Sequence, residues 1–462
     1  MHPCKVTHHA PAHLRAEQFK AKTKCSPPSE HKKYTNSHSS PVSAIPEYAP
    51  MGAVLISYPG TVPATRDDPQ APPSGPRMFG IPNELIVRMQ QNDSAEPVHI
   101  FVMCEDRNEK KNIDHDLQAT ADEKGLFYNP EHLHLIGWDT DTYWTRDYGP
   151  WWIINNETGY FGIAKHCYTT MGGGQVGMLE GAEHVDPMEG LGIFRPNDDY
   201  GAVKLSDYLN GPIRKWNLAQ WPGRDKDHPL KNEPINVHNW YFLGLLDVGG
   251  NYMVTGNGVI ASSYLVATQN ELPVHQQEHS TNPGQKQIDQ RMEYILSQFN
   301  QFMGISTYHV LTDPTGTYIG HIDCWGKFLA DDIVLIARSE DPKTDKAFDG
   351  IADYFTQQGF TVSRVMCQNM YISIADQPAT TAAYTNSLIL NDHVYVPLSG
   401  KGYEEFDNLA LSAYRKALPD HTVVGIPSKP ETPWLGTDAM HCRTRAVPRE
   451  VVNNWLKSQN LK

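Results

Sequence analysis

Cys324-Trp-Gly-Lys-Phe-Leu329 and Asp332-Ile-Val-Leu-Ile-Ala337 read as two short apolar strands, and Phe360-Thr-Val-Ser-Arg-Val-Met366 as a third. Between them, residues near 343–358 set Ile351, Tyr354 and Phe355 at i, i+3, i+4, the spacing of one helix face. The unit is a strand pair, an amphipathic helix and a returning strand. One further copy runs from Asn251–Ser263 through a helix near 286–303 to Ser306–Leu311. Another runs from Ser387–Pro397 through a helix near 403–417 to Thr422–Ile426. Thr255-Gly-Asn-Gly258 and Asn391-Asp392 carry the hairpin turn signals. Residues 51–104 and 138–165 can supply two more copies, similar in pattern but not in residue identity. The fold class predicted is α/β, built from repeated ββαβ units.

Outside these units, residues 1–44 are rich in His, Ser, Lys and Pro without a hydrophobic period, and read as a disordered tail. The catalytic domain is expected over 45–450, with a short C-terminal tail at 451–462. A Gly- and Met-rich stretch at 166–194 is open to two readings, a lid over a site or a mobile surface insertion.

A net charge of −14 argues against nucleic acid, which requires a basic face. It suits a cationic small substrate, although most such acids are solvated surface. Seven cysteines at irregular spacing, positions 4, 25, 104, 167, 324, 367 and 442, form neither a disulfide framework nor a metal motif. No signal-peptide pattern and no apolar run of spanning length is visible, so a cytoplasmic protein without membrane contact is expected.

Polar clusters sit where strands begin. Trp144-Thr-Arg-Asp-Tyr-Gly-Pro150 precedes Trp151-Trp-Ile-Ile154, and Gly249-Gly-Asn251 precedes the next hairpin. His321 and Asp323 open the following hairpin, and Tyr384-Thr-Asn386 the one after. A radial arrangement of the units would bring these starts to one point. Asp147 and Asp323 can bracket a planar guanidinium, leaving its carbon open to attack; alternatively Asp147 anchors a turn and pairs with Arg146. His321 and Asp323 are two apart and share a face if they lie on a strand, whereas Cys324 turns to the core. A metal pair or a buried structural histidine is the competing reading for His321. Cys442, in Thr437-Asp-Ala-Met-His-Cys442, becomes a nucleophile if Arg443, Arg445 and a histidine lower its pKa, and is otherwise an inert small hydrophobe. Trp144 and Tyr318 can wall an aliphatic stem or simply pack the core.

Together these lines, with Asp247-Val-Gly-Gly-Asn251 and Gly320-His-Ile-Asp-Cys-Trp-Gly-Lys327, resemble the Porphyromonas-type peptidylarginine deiminases. Those are grouped with the agmatine deiminases in the pentein, or guanidino-group-modifying, superfamily. The resemblance spans residues 46–450. It implies a five-bladed α/β propeller and hydrolysis of peptidyl-arginine to citrulline and ammonia through a covalent thiouronium. It makes Cys442 the nucleophile, His321 the acid/base, Asp147 and Asp323 guanidinium ligands, and Asn386 a polar neighbour of the thiol. Trp144 and Tyr318 would line the substrate channel. Arg146, Gly249, Gly250 and Asn251 are expected at the substrate site, and Arg195 would hold a substrate carboxylate. Ile193 stands where the bacterial enzymes carry a second arginine, which leaves preference for C-terminal arginine open. No metal or organic cofactor is implied. The partner is an arginine-containing peptide or a small guanidino compound. Agmatine deiminase is the nearest alternative, a catalytically silent scaffold the next, and a cysteine protease the least suited, because paired acids serve a cation and not an amide.

Overall fold

The unit read at 324–366 is a three-stranded sheet. Gly326–Phe328 runs antiparallel to Ile333–Ser339, which pairs in parallel with Thr361–Cys367, Ile333 opposite Thr361 and Ser339 opposite Cys367. A parallel neighbour requires a crossover, and helix Pro342–Gln357 supplies it. Asp341 caps that helix by accepting from Thr344 N at 2.8 Å, while Pro342 occupies the first turn, where its missing N–H is harmless. Phe348, Ile351, Ala352 and Phe355 form its buried face.

The computed structural model describes residues 31–59, 77–91, 97–168, 196–220, 237, 239–270, 285–315, 320–367 and 381–459. Among them the strands form five sheets of three or four strands each. Every sheet contains the same order: an antiparallel pair, then a helix, then a strand parallel to the second. Met253–Val254, Val259–Ser263 and Thr307–Leu311 follow it around helix Gln285–Met303. Leu388–Leu390, His393–Leu398 and Thr422–Pro427 follow it around helix Glu404–Ala417. Trp151–Asn155, Phe161–Tyr168 and Asn239–Asp247 do so around Gly201–Gln220. The last sheet pairs Arg445–Pro448 antiparallel with Met51–Ser57, which runs parallel to His99–Met103 and, through that strand, to Leu133–Ile136. The two ends of the domain therefore share a sheet.

Three expectations are corrected. The copy expected over 51–104 takes its hairpin partner from Arg445–Pro448 and not from neighbouring sequence. Residues 31–44 are not a structureless tail: Lys32–Thr35 pairs with Thr307–Leu311 and Val42–Ala44 with Trp151–Asn155. Such edge strands are held by backbone bonds along a preformed sheet and need little hydrophobic pattern of their own. The expected C-terminal tail is a helix, Arg449–Gln459, because Val451, Val452 and Trp455 have a core to enter. The Trp455 ring packs edge-on against Phe101 and His134, with centroids 5.1 and 4.8 Å apart. Residues 166–168 of the stretch read as a lid or a surface insertion belong to strand Phe161–Tyr168; the remainder, 169–194, lies outside the described residues. No helix among the described residues is long and apolar enough to cross a membrane.

Candidate active site

Each sheet contributes the segment that enters its first antiparallel strand. Asp147 lies in the short helix Thr145–Tyr148 before Trp151–Asn155, and Gly249–Asn251 is a 3-10 turn before Met253–Val254. His321 caps the 3-10 turn Ile322–Cys324 before Gly326–Phe328, Asn386 precedes Leu388–Leu390, and Cys442 precedes Arg445–Pro448. His321 and Asp323 thus reach a common pocket from a 3-10 turn, not from a strand as the spacing had suggested. Gly320, with φ of 60°, makes the bend that admits His321. Asn251 Oδ1 accepts from Ser263 N, and the Ser263 hydroxyl lies 2.9 Å from that oxygen and 2.5 Å from Gly320 O, tying two of these entry segments together.

Gly250 marks the meeting point. A Cβ built there would lie 2.9 Å from Asp147 Oδ1, 3.0 Å from His321 Nδ1 and 3.1 Å from Asp323 Oδ2. The same Asp323 oxygen accepts from Cys442 Sγ at 3.3 Å. His321 Nδ1 stands 4.0 Å from Asp147 Oδ1, and neither ring nitrogen has a hydrogen-bond partner among the described residues. Asp147, His321, Asp323, Asn386 and Cys442 are all buried. Asn386 secures the thiol: Nδ2 donates to Sγ at 3.1 Å, and Oδ1 accepts from Cys442 N at 3.1 Å and Ala439 N at 3.0 Å.

Burial, followed by Asp323, Asp438 and Asp147, pushes the Cys442 thiol well above its ordinary pKa. Burial brings His321 down to about 4, against the opposing pull of Asp323 and Asp438. Burial alone would raise Asp323, but hydrogen bonding and charge from His441, with His321 and Cys442, hold it below the usual carboxylate value. The resting pair is therefore a neutral thiol and a neutral imidazole beside ionised carboxylate. A cation placed between Asp147 and Asp323 would offset the field that holds the thiol protonated.

The expected thiol activators act elsewhere. The Arg443 guanidinium is bound to Asp438 and to the carbonyls of Gly80, Thr432 and Pro433, between the Tyr143 and Trp434 rings. Arg445 donates to Pro150 O and lies over Trp151. Arg146, expected at the substrate, is bonded to the segment that carries Cys442: its Nε donates to His441 O and its backbone N to Cys442 O. Gly249 serves the packing of this segment, since a Cβ there would collide with the Arg146 carbonyl. Trp144 is buried against Tyr143, their centroids 4.8 Å apart. Tyr318, Ile193 and Arg195 lie outside the described residues.

Sequence reading missed a second layer. His441 Nδ1 is 2.8 Å from Asp323 Oδ2, and its Nε2 is 2.8 Å from Glu47 Oε2. Glu47 also accepts from Lys327 Nζ at 2.9 Å and Ile389 N at 3.1 Å. Lys327, His441 and Arg146 together keep this buried carboxylate ionised against the burial that opposes it. The only available signal was one acid in Ile45-Pro-Glu-Tyr48, just ahead of an apolar strand.

The fold has solved counterparts among deiminases. An Enterococcus faecalis agmatine deiminase superposes with a TM-score of 0.56 at 18% identity, covering 90% of this chain and 99% of that one. A Campylobacter jejuni agmatine deiminase gives 0.51 at 14%, covering 88% and 95%. A Shewanella sp. (strain MR-4) protein provisionally named as an agmatine deiminase is 20% identical over 349 residues, 69% of this chain and 77% of its own length. A Vibrio parahaemolyticus protein of the same provisional name is 34% identical over 68 residues, 15% of this chain and 18% of that one. Relatives and fold together define a hydrolase of the deiminase class, acting on C–N bonds of guanidino or amidine groups. Residues 199–448, more than half of the chain, match the Porphyromonas-type peptidyl-arginine deiminase family, and the chain belongs to that family.

Proposed function

We propose that the chain deiminates a small alkylguanidine, agmatine, to N-carbamoylputrescine and ammonia through a covalent adduct on Cys442. The observation that carries the chemistry is the convergence of Asp147 Oδ1, His321 Nδ1 and Asp323 Oδ2 around Gly250, with the Cys442 sulfur on the same Asp323 oxygen. The preference for agmatine is supported by the names of the relatives and by Ile193, which removes one of two arginines suited to a substrate carboxylate. Peptidyl-arginine is the second reading, favoured by the family's description and by Arg195. We further infer that the five sheets are the blades of a five-bladed propeller, whose inner strand ends carry the site.

In this mechanism Asp147 and Asp323 pair with the guanidinium, and its charge offsets the carboxylate field that keeps Cys442 protonated. The thiol proton passes to His321 as Sγ bonds to the guanidinium carbon. The C–N bond then breaks, and His321 returns the proton to the departing nitrogen, which leaves as ammonia. A positively charged S-alkylthiouronium remains. His321, neutral again, takes a proton from water as its oxygen adds to that carbon. The C–S bond breaks, Cys442 leaves as the thiol, and the surplus proton ends on ammonia as ammonium.

The test is ureido-product and ammonia formation from agmatine, free arginine, a C-terminal-arginine peptide and an internal-arginine peptide at matched concentrations. Agmatine should turn over fastest. Faster turnover of either peptide would transfer the assignment to peptidyl-arginine, and inertness toward all four would overturn the enzymatic reading.

A further inference from the structure

We propose that His441 is a positioning residue of the guanidinium clamp, donating its Nδ1–H to Asp323 while Glu47 holds the ring from the other side. The inference rests on the guanidino chemistry proposed above, but concerns residues that do not touch the substrate. His441 meets two carboxylates at 2.8 Å, Asp323 through Nδ1 and Glu47 through Nε2. Two such contacts require two protons, and a neutral imidazole carries one. One proton sits on Nδ1 and is given to Asp323; the other sits on Nε2 facing the ionised Glu47, and there the pull of Glu47 and Asp323 works against burial, Arg146 and Lys327, which lower the pKa of the ring. Glu47 thereby fixes which nitrogen faces the clamp, as an outer carboxylate does for a metal-bound histidine.

The surroundings leave the ring little freedom. His441 is buried, its backbone N donates to Asn386 O and its carbonyl accepts from Arg146 Nε. Glu47 is pinned in turn by Lys327 Nζ and Ile389 N. The oxygen that His441 grips, Asp323 Oδ2, also lies 3.3 Å from the Cys442 sulfur and borders Gly250. Freeing Asp323 would misplace the carboxylate that aligns the guanidinium carbon with sulfur. Displacements of about an ångström at such a site cost on the order of a hundredfold.

The test separates cation alignment from thiol reactivity. Alkylation of Cys442 is followed by mass spectrometry of its peptide, using chloroacetamidine, a cation, and chloroacetamide, its neutral counterpart. The ratio of the two rates reports the clamp, because any change in thiolate population affects both reagents alike. The wild-type ratio should be large. His441→Phe should lower it at least about tenfold. His441→Asn, whose amide nitrogen can occupy the Nδ1 position, should restore it to within about threefold of wild type, whereas His441→Gln, which reaches toward Glu47, should not. Should His441→Phe fail to fold, the Asn and Gln variants still decide. Glu47→Leu combined with Lys327→Met removes the outer anchor and its lysine partner together, and should also lower the ratio. A high wild-type ratio unchanged in these variants, or equal behaviour of His441→Asn and His441→Gln, overturns the inference alone. A wild-type ratio near one overturns the clamp itself, and this inference with it.

Discussion

Gly250→Ala separates the site from the fold. Gly250 is not among the glycines with positive φ, so alanine meets no backbone penalty there. Its methyl carbon would instead stand 2.9, 3.0 and 3.1 Å from Asp147 Oδ1, His321 Nδ1 and Asp323 Oδ2, closer than ordinary contact, and would displace the side chains proposed to hold the guanidinium. A charge-assisted hydrogen bond contributes about 1.5–3 kcal/mol, so losing one to each aspartate removes about 3–6 kcal/mol. At about 1.4 kcal/mol per decade, kcat/KM should fall by about two to four orders of magnitude. The assay is steady-state ammonia release, with thermal unfolding alongside it. Local overpacking costs about 1–3 kcal/mol, so the variant should remain folded. Gly249→Ala is the contrasting case: its Cβ collides with a backbone carbonyl, and stability should fall with activity. A Gly250→Ala enzyme within about threefold of wild type would refute the assignment of these side chains to substrate, since the expected loss is at least about a hundredfold.

Three further outcomes follow from the same geometry. Burial and three aspartates hold Cys442 as a thiol in the free enzyme. Its alkylation by neutral chloroacetamide, read from the Cys442 peptide, should therefore rise continuously through pH 9, and a plateau beginning near neutrality would contradict the shift. Asn386→Ala removes the bonds to Sγ, Cys442 N and Ala439 N. Buried donors left unsatisfied cost about 1–3 kcal/mol each, so kcat should drop about 10–100-fold with a lower Tm, and an unchanged kcat would remove Asn386 from the site. Trp455→Ala should cost about 3–5 kcal/mol in urea unfolding. A loss below about 1 kcal/mol would show that the C-terminal helix is not part of the cooperative core.

The parts of the site legible in sequence are those that interrupt strong local patterns. Asp147, Asn386 and the His321–Asp323 pair each sit at the head of an apolar strand, where a loop side chain must have a reason to be polar and buried. The helices at 285–303, 342–357 and 404–417 were readable because each buries one periodic face. Glu47 was not readable, since its meaning depends on His441, 394 residues away, and nothing local distinguishes it from a solvated acid. Arg443 and Arg445 misled for the opposite reason. Adjacency to Cys442 suggested electrostatic activation, but Arg443 lies in the turn at 441–443 and reaches Asp438, while Arg445 opens the following strand and lies over Trp151. The strands at 32–35 and 42–44 escaped notice because an edge strand borrows its order from a partner more than a hundred residues distant.

The covalent role of Cys442 is open to direct observation. Enzyme mixed with agmatine, quenched in acid within a turnover and digested, should yield a Cys442 peptide heavier by the substrate less one ammonia, and no such peptide from Cys442→Ala, which should also release no ammonia. Sustained ammonia release by Cys442→Ala, or turnover in the wild type with the modification absent from residue 442, would contradict attack by this sulfur.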